Sequence, residues 1–298
     1  MQSKLVSVLM TCYNGGQFLE DSLNSLLAQT YTNWELIFIN NCSTDNSEQI
    51  IKNAKDKRIK YFKTDETLNL GQVRNLALSK GNGDYFCFLD TDDIWDKKKL
   101  YSQLDVFESN DNIEILGCSY FKFSEKKKIN NPYDFKSNNF DLVNVIKSYI
   151  RQWPLSSWLT LMVKSELIKN FTFDNNLHIC TDFDMIISLV NESNFYYLSK
   201  DLAGYRVHDN NESNKKDYKE VDELCFIYKK FIKKIDNMND SKINLFFDKV
   251  NLKKKIHYFL NNQQDPNDIK LNFFYHLLIY KILKLLPKRI SCKIIEKK

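Results

Sequence analysis

The sequence predicts an α/β fold with a mainly parallel, mixed sheet, followed by a helical appendage at the C-terminal end. Three observations carry this. From Leu5 to about Phe123, short apolar runs alternate with stretches of helical periodicity. Acidic and amide-rich clusters directly follow several of those runs, where open α/β sheets bind ligands. Beyond Asn210 the composition turns Lys-rich and helical through to Lys298. A chain of 298 residues, 43% hydrophobic and 14% aromatic, can bury a core of the size this layout needs.

The predicted strands are Leu5 to Met10, Trp34 to Ile39, Arg58 to Phe62, Tyr85 to Leu89 and Ile113 to Phe121, all rich in Val, Ile, Phe and Tyr. Between the first two, Phe18, Leu19, Ser22, Leu23, Leu26 and Leu27 recur at helical spacing. Ser43 or Thr44 is placed to cap a helix through Ile50 and Ile51. Gly71 to Asn75 opens another helix, and Asp96 to Leu104 forms a further one. A Lys- and Asn-rich stretch from about Ser124 to Asn139 breaks the regularity, and mixed segments run from Phe140 to His208. The expected organisation is one domain over 1–210, with a ligand-binding half at 1–123 and a second half at 124–210, and a basic helical region at 211–298.

Charge and cysteine usage exclude several classes. The balance of 43 Lys+Arg against 38 Asp+Glu, net +5, is too even for nucleic-acid binding unless the positives cluster, which they do only near the C-terminus. Seven scattered cysteines with no C-x-x-C pair suggest neither a disulfide framework nor a zinc site, and point to a reducing compartment. The N-terminal residues lack the pattern of a signal peptide, so a cytoplasmic location is expected. In the tail, Leu271 to Leu286 is apolar but interrupted by His276, Lys281 and Lys284, and shorter than the roughly 20 residues of a spanning helix. Lys281, Lys284 and Lys288 share one face, with Leu278, Ile282 and Leu285 on another. That pattern fits a helix resting on the inner face of an anionic membrane; it equally fits a helix packed on its own domain or on a second subunit of a homo-oligomer.

Four clusters fall at one sheet edge. Asp90-Thr91-Asp92-Asp93 follows the strand Tyr85 to Leu89 and brings three carboxylates together. Hard oxygen ligands at this spacing suit Mg²⁺ or Mn²⁺ with phosphate oxygens completing the shell, while a cap for the following helix is the structural alternative. Thr11 to Gly16 follows the first strand and precedes a helix whose N-terminus offers free N–H groups. It has neither G-x-G-x-x-G nor G-K-[ST] spacing, which argues against a dinucleotide site and a P-loop. Tyr13 can stack on a base or belong to the core. Asn40 to Asp45 ends the second strand, and Gly71 to Asn75 places Arg74 where it can reach an anion.

In this order the residues resemble the large inverting glycosyltransferase family 2. The resemblance runs from Val6-Ser7-Val8 through Tyr13-Asn14, Ser25 to Tyr31, Trp34-Glu35-Leu36, Ser43-Thr44-Asp45, Arg74-Asn75 and Gly83-Asp84-Tyr85 to Asp90-Thr91-Asp92-Asp93. Thr181-Asp182-Phe183-Asp184 is similar to the family's catalytic-base motif, and Tyr205-Arg206-Val207-His208 to the segment that closes its domain. The likeness covers roughly the first 210 residues. It implies a nucleotide-binding A-type glycosyltransferase fold and a bacterial enzyme of surface-glycan assembly, transferring a sugar from a nucleoside-diphosphate donor, UDP-hexose or UDP-N-acetylhexosamine, to a glycan or lipid-linked acceptor. It further implies Asp182 as base, Thr11, Tyr13, Asn40, Arg74, Asp90 and Asp92 at the donor, and Asp92, Asp93 and His208 as ligands of Mn²⁺ or Mg²⁺. Two positions depart from the family pattern. Asn40 stands where Asp accepts the uracil N3–H, and Thr181 where Glu precedes the base. A nucleotidyltransferase would show a Gly-rich, basic triphosphate loop near the N-terminus, which this sequence lacks. A non-catalytic sugar-nucleotide-binding or scaffold protein is the alternative from another class.

Overall fold

The computed structural model describes residues 4–125, 127–132, 136–150, 154, 157–211, 218–237 and 240–260. In chain order the elements are β1 (Val6–Cys12), α1 (Gly16–Leu27), β2 (Trp34–Asn40), α2 (Ser47–Asn53), β3 (Ile59–Lys63), α3 (Leu70–Lys80), β4 (Tyr85–Phe88), β5 (Ile94–Trp95), α4 (Lys99–Ser109) and β6 (Ile115–Phe123). Then follow β7 (Lys128–Ile129), β8 (Asn138–Phe140), α5 (Leu142–Ile150), a 3₁₀ turn (Trp158–Thr160), β9 (Met162–Lys164), α6 (Ser165–Ile168), α7 (Thr181–Asn191), β10 (Phe195–Arg206), α8 (Tyr218–Asn237) and α9 (Ser241–Leu260). All five expected strands are present, with ends displaced by at most two residues.

One sheet holds the molecule together, in the order β3-β2-β1-β4-β9-β6-β10-β5. The first four strands of that order pair in parallel. The short β9 then enters antiparallel to both β4 and β6, and β10 lies parallel to β6. The half built from local βα units is therefore parallel, and the half assembled from distant segments is mixed.

Strand alternation divides the core into two layers. On β1, β2 and β4 the residues Val8, Met10, Leu36, Phe38 and Cys87 pack against Leu19, Leu23 and Leu26 of α1. Their neighbours Leu9, Ile37, Ile39, Phe86 and Phe88 face the opposite layer with Val73 and Ala77 of α3. Period-2 side-chain direction makes this split obligatory, and continuous apolar runs are what a sheet covered on both faces needs. The second layer continues through α5 and α7 into Leu224, Cys225 and Ile227 of α8 and Ile243, Phe247 and Val250 of α9. The expected helical region after residue 210 is present as α8 and α9, and both of these pack into the second layer.

Three local expectations need correction. The cap of α2 is Asn46, not Ser43 or Thr44, and Asp45 accepts from the Ser47 N–H at 3.1 Å. The helix expected from Asp96 begins at Lys99, with Asp96 accepting from the Lys98 N–H at 2.8 Å, so Asp90 to Asp93 do not serve as its cap. The α1 N-terminus is not free, because the Gly16 N–H donates to Asp45 Oδ2 at 2.8 Å. A carboxylate from the β2 loop already occupies the favourable end of that helix dipole. Leu271 to Leu286 and its lysines lie outside the described residues. No helix among the described residues is long and apolar enough to cross a membrane.

Candidate active site

The parallel strands end in loops that lace to one another. Asn14, in the left-handed region at φ 53°, donates its N–H to Ser43 Oγ at 3.0 Å and accepts from the Thr44 N–H at 2.8 Å. Asn tolerates this backbone because its short side chain bonds locally. At Gly15 an added Cβ would lie 2.6 Å from Thr91 Oγ1, so glycine permits the β1 loop to approach the acidic loop after β4. Tyr13 stands 60% exposed at this edge, an apolar ring open to solvent.

The acidic loop is fixed from several sides. Ser22 Oγ of α1 donates to the Asp90 carbonyl at 2.8 Å, and β5 pairs with β10 immediately beyond the loop. Asp93 is buried and accepts from the Arg206 N–H at 2.8 Å. Burial pushes its carboxyl well above the usual range, with the charges of Asp92 and Asp90 adding to the effect. Asp93 therefore ties the loop to the end of β10, a correction to its expected place among the metal ligands. Asp92 does face open ground: its Oδ2 lies 3.0 Å from His208 Nε2 and 3.5 Å from Asn211 Nδ2. Arg206 supports this pair, donating from Nε to the Asp92 carbonyl at 2.8 Å and from its terminal nitrogen to Asp21 at 2.8 Å, with its guanidinium between Phe18 and Phe123.

Arg74 joins the two acidic clusters. It projects from α3, itself started by a capping box in which Asn69 accepts from the Gln72 N–H at 2.9 Å and Gln72 accepts from the Asn69 N–H at 3.0 Å. The Arg74 guanidinium is hydrogen-bonded to Asp182 Oδ1 and lies 4.0 Å from Asp90 Oδ1. Asp182 sits in the first turn of α7, more than a hundred residues away in sequence. Asp90 and Asp182 keep 45% and 40% of their side chains accessible, at the floor of a cleft with protein crowded around them. That crowding pushes Asp90 up to about 6, against the opposing pull of Arg74, and raises Asp182 for the same reason with Arg74 again opposing. Thr11, Arg74, Phe88, Asp90 and Trp158 line one small cavity here. Trp158, which is buried, gives Asp182 a side-chain hydrogen bond that favours its charged form.

Of the residues selected from sequence, Arg74, Asp90 and Asp182 form one cluster, and Asp92 with His208 another, on the same loop as Asp90. Asn40 does not fit its expected role. It is fully buried, its Oδ1 accepts from the Ser43 N–H at 2.8 Å, and its amide donates to Tyr61 at 3.0 Å, so it shapes the β2 loop from within. Sequence reasoning gave Arg206 no role beyond its place in the closing segment, and it missed Trp158 and Asn211. Arg206 and Asn211 flank the singled-out His208 and were within reach of a local reading; Trp158 lies in an irregular stretch with no signal. Among the described residues no three His, Cys, Asp or Glu side chains converge as a metal-binding group. The Asp92–His208 pair offers one oxygen and one nitrogen donor side by side, which suits a divalent ion whose remaining ligands are phosphate oxygens and water.

A sheet of this order, with acidic and arginine side chains gathered at one edge from its loops and helix starts, defines an A-type glycosyltransferase fold. Solved structures share it. S. aureus TarS 1-349 in complex with UDP-GlcNAc superposes with a TM-score of 0.63 at 19% identity, covering 74% of this chain and 66% of that one. The mannosyltransferase PcManGT from Pyrobaculum calidifontis, in complex with GDP-Man and Mn²⁺, gives 0.58 at 16% identity over 76% of this chain and 64% of that one. The chain belongs to glycosyl transferase family 2, whose model matches residues 7–189. Among its relatives, the putative teichuronic acid biosynthesis glycosyltransferase TuaG of Bacillus subtilis is 29% identical over 233 residues, 76% of this chain and 87% of that protein.

Proposed function

We propose that the protein is an inverting glycosyltransferase that moves a sugar from a nucleoside-diphosphate sugar to a hydroxyl of a glycan or lipid-linked acceptor in bacterial surface-glycan synthesis. The observation that carries this is Arg74, held between Asp90 on the donor edge and Asp182 on α7. One cation paired with both carboxylates supports a reading in which a diphosphate and an attacking hydroxyl meet beside it. Asp182 accepts the hydroxyl proton as the oxygen forms its bond to the anomeric carbon. The bond from that carbon to the diphosphate oxygen breaks on the opposite face, so configuration inverts and a nucleoside diphosphate leaves. The raised pKa of Asp182 suits a base acting near neutrality.

Tyr13 provides an exposed ring for the nucleobase, Thr11 and Asp90 line the donor cavity, and Arg74 attracts the diphosphate. Asp92 and His208 would hold Mn²⁺ or Mg²⁺, which when bound offsets charge developing on the leaving diphosphate. Asn40 leaves the nucleotide base unspecified, and the complexes of TarS with UDP-GlcNAc and of PcManGT with GDP-Man make uridine and guanosine donors the first to try. The catalytic unit on this reading extends past residue 210, since α8 and α9 share its core. The test is a panel of UDP-, GDP-, dTDP- and CMP-sugars assayed for hydrolysis and thermal stabilisation with Mn²⁺ and with chelator. Metal-dependent hydrolysis of one nucleotide class supports the reading; binding without turnover in the presence of candidate acceptors would instead indicate a non-catalytic sugar-nucleotide-binding protein.

A further inference from the structure

Two charged side chains of α8 reach back to the helix that carries Asp182. Glu223 is 6% exposed, and its carboxylate takes three backbone donors in a row: His178 N–H to Oε1 at 2.9 Å, and Ile179 and Cys180 N–H to Oε2 at 2.8 and 2.7 Å. These donors belong to the residues immediately before α7, whose own cap position, Cys180, makes no side-chain cap. A carboxylate is the favoured partner for N–H groups at the start of a helix; here it comes from a helix more than forty residues further on. Past Asp182, Lys230 donates to both oxygens of Asp184 at 2.8 Å, and Asp184 is 2% exposed. Asp182 lies between these two clamps. Leu224, Cys225 and Ile227 seat α8 in the same core as Phe183, Ile186 and Ile187 of α7, so the clamps are mounted on a packed element.

We propose that Glu223 and Lys230 are positioning residues for the transfer reaction: α8 fixes the backbone on both sides of Asp182 and so sets where its carboxylate stands. This rests on the reading of Asp182 as base. The physical need is clear. A base must lie within about 3 Å of the hydroxyl it deprotonates, and a displacement of about 1 Å can lower the rate on the order of 10²-fold. Arg74 pulls the Asp182 carboxylate toward the donor edge, and the backbone beneath it is held separately, by α8. Sequence gives no hint of this, because Glu223 and Lys230 look like ordinary members of a Lys- and Glu-rich helix.

The experiment compares the full chain with Glu223→Gln, Lys230→Met and Asp182→Asn. Glutamine keeps the size of Glu223 but turns an N–H₂ toward at least one backbone donor, and methionine keeps the packing of the lysine stem. Hydrogen exchange is measured alongside hydrolysis of the sugar-nucleotide panel. In Glu223→Gln we expect the amides of residues 178–184 to exchange about 10-fold faster or more, while those of β1 and β4 stay as in the parent. Turnover should fall about 10-fold with the KM for donor within twofold. Lys230→Met should move turnover in the same direction by a smaller factor, and adding Glu223→Gln to Asp182→Asn should cost nothing further. Parent-like exchange at 178–184, exchange that rises evenly over the whole chain, or unchanged turnover with a lower melting temperature would overturn the proposal and leave Glu223 a stabilising cap. So would an additive loss in the double variant. If Asp182→Asn alone turns over normally, it is the base assignment that fails. If the parent hydrolyses no donor in the panel, the enzymatic reading fails, and local exchange still decides whether α8 holds the Asp182 segment.

Discussion

The two sides of the cleft are built differently. On the donor edge each functional side chain lies within a few residues of a strand or helix end, and neighbouring segments hold one another: Asn14 with Ser43 and Thr44, Asp45 with Gly16, Ser22 of α1 with Asp90. On the base side Asp182 depends on partners far away in the chain, Arg74 in front and α8 behind through Glu223 and Lys230. A parallel sheet generates its ligand edge by local connection, since every βα unit returns a loop to the same end. A helix laid across that edge has no such rule and must be fixed by contacts between distant segments. The donor edge should therefore fail through loss of binding, and the base side through loss of rate.

Asp92→Ala is expected to have the largest effect on the donor edge, abolishing transfer and the metal-dependent thermal stabilisation by nucleotide; chelator should mimic it in the parent. Preserved stabilisation by nucleotide and Mn²⁺ in that variant would remove Asp92 from the site. Asp182→Asn should leave nucleotide affinity near that of the parent and reduce turnover by about 10²-fold or more, the contribution of a positioned base. Equal loss of affinity in the two variants would erase the distinction between the sides.

Arg74 belongs to both sides, so Arg74→Met should show both signatures. Nucleotide affinity falls because a cation facing the diphosphate is gone. The rate profile also moves. A carboxylate base works only when deprotonated, burial raises Asp182, and Arg74 opposes that rise. Without Arg74 the carboxyl climbs further, so the acid limb of kcat should shift to higher pH and the deficit should be greater at pH 6 than at pH 8. The reading requires the parent's own acid limb to stand above the ordinary carboxylate range. A profile unmoved by the substitution would mean that another group governs it.

How much of this was legible in sequence follows the same division. The five strands of the first 123 residues and the four clusters at their edge could be read from apolar runs and local motifs, whereas Asp182 was singled out only through the resemblance to the family. The insertion of β9 between β4 and β6 could not, because a three-residue strand, Met162–Lys164, carries no periodicity of its own. Side-chain direction was also hidden. Asp92 and Asp93 are neighbours in sequence, yet one faces His208 and the other accepts from the β10 backbone. Asn40 looked like a base-reading amide until its buried partners Ser43 and Tyr61 were seen. The helical region beyond residue 210 could be read from its Lys-rich composition, but the apolar stripe of Leu224, Ile227, Ile243 and Phe247 that seats α8 and α9 in the core was hidden among those lysines.

The smallest expected effect lies where the two sides join, at the start of α3. Asn69 has two jobs there. Its Oδ1 accepts from the Gln72 N–H and so begins the helix that carries Arg74, while its Nδ2 donates to the Asn175 carbonyl at 2.9 Å in the loop leading to α7. Close packing reinforces the joint, since a Cβ on Gly71 would come within 2.8 Å of the Asp174 carbonyl oxygen. Asn69→Asp keeps the cap and loses only the link across; Asn69→Ala loses both. Loss of a cap costs about 1 kcal/mol, which in a chain of this size lowers Tm by about 2–4 °C. Asn69→Ala should therefore melt a few degrees below the parent. Asn69→Asp should melt closer to it, and any fall in turnover that the two variants share reports the link to α7 alone. If Asn69→Asp turns over as the parent does while Asn69→Ala does not, the joint works through the helix start, and the base side owes its placement to α8 rather than to α3.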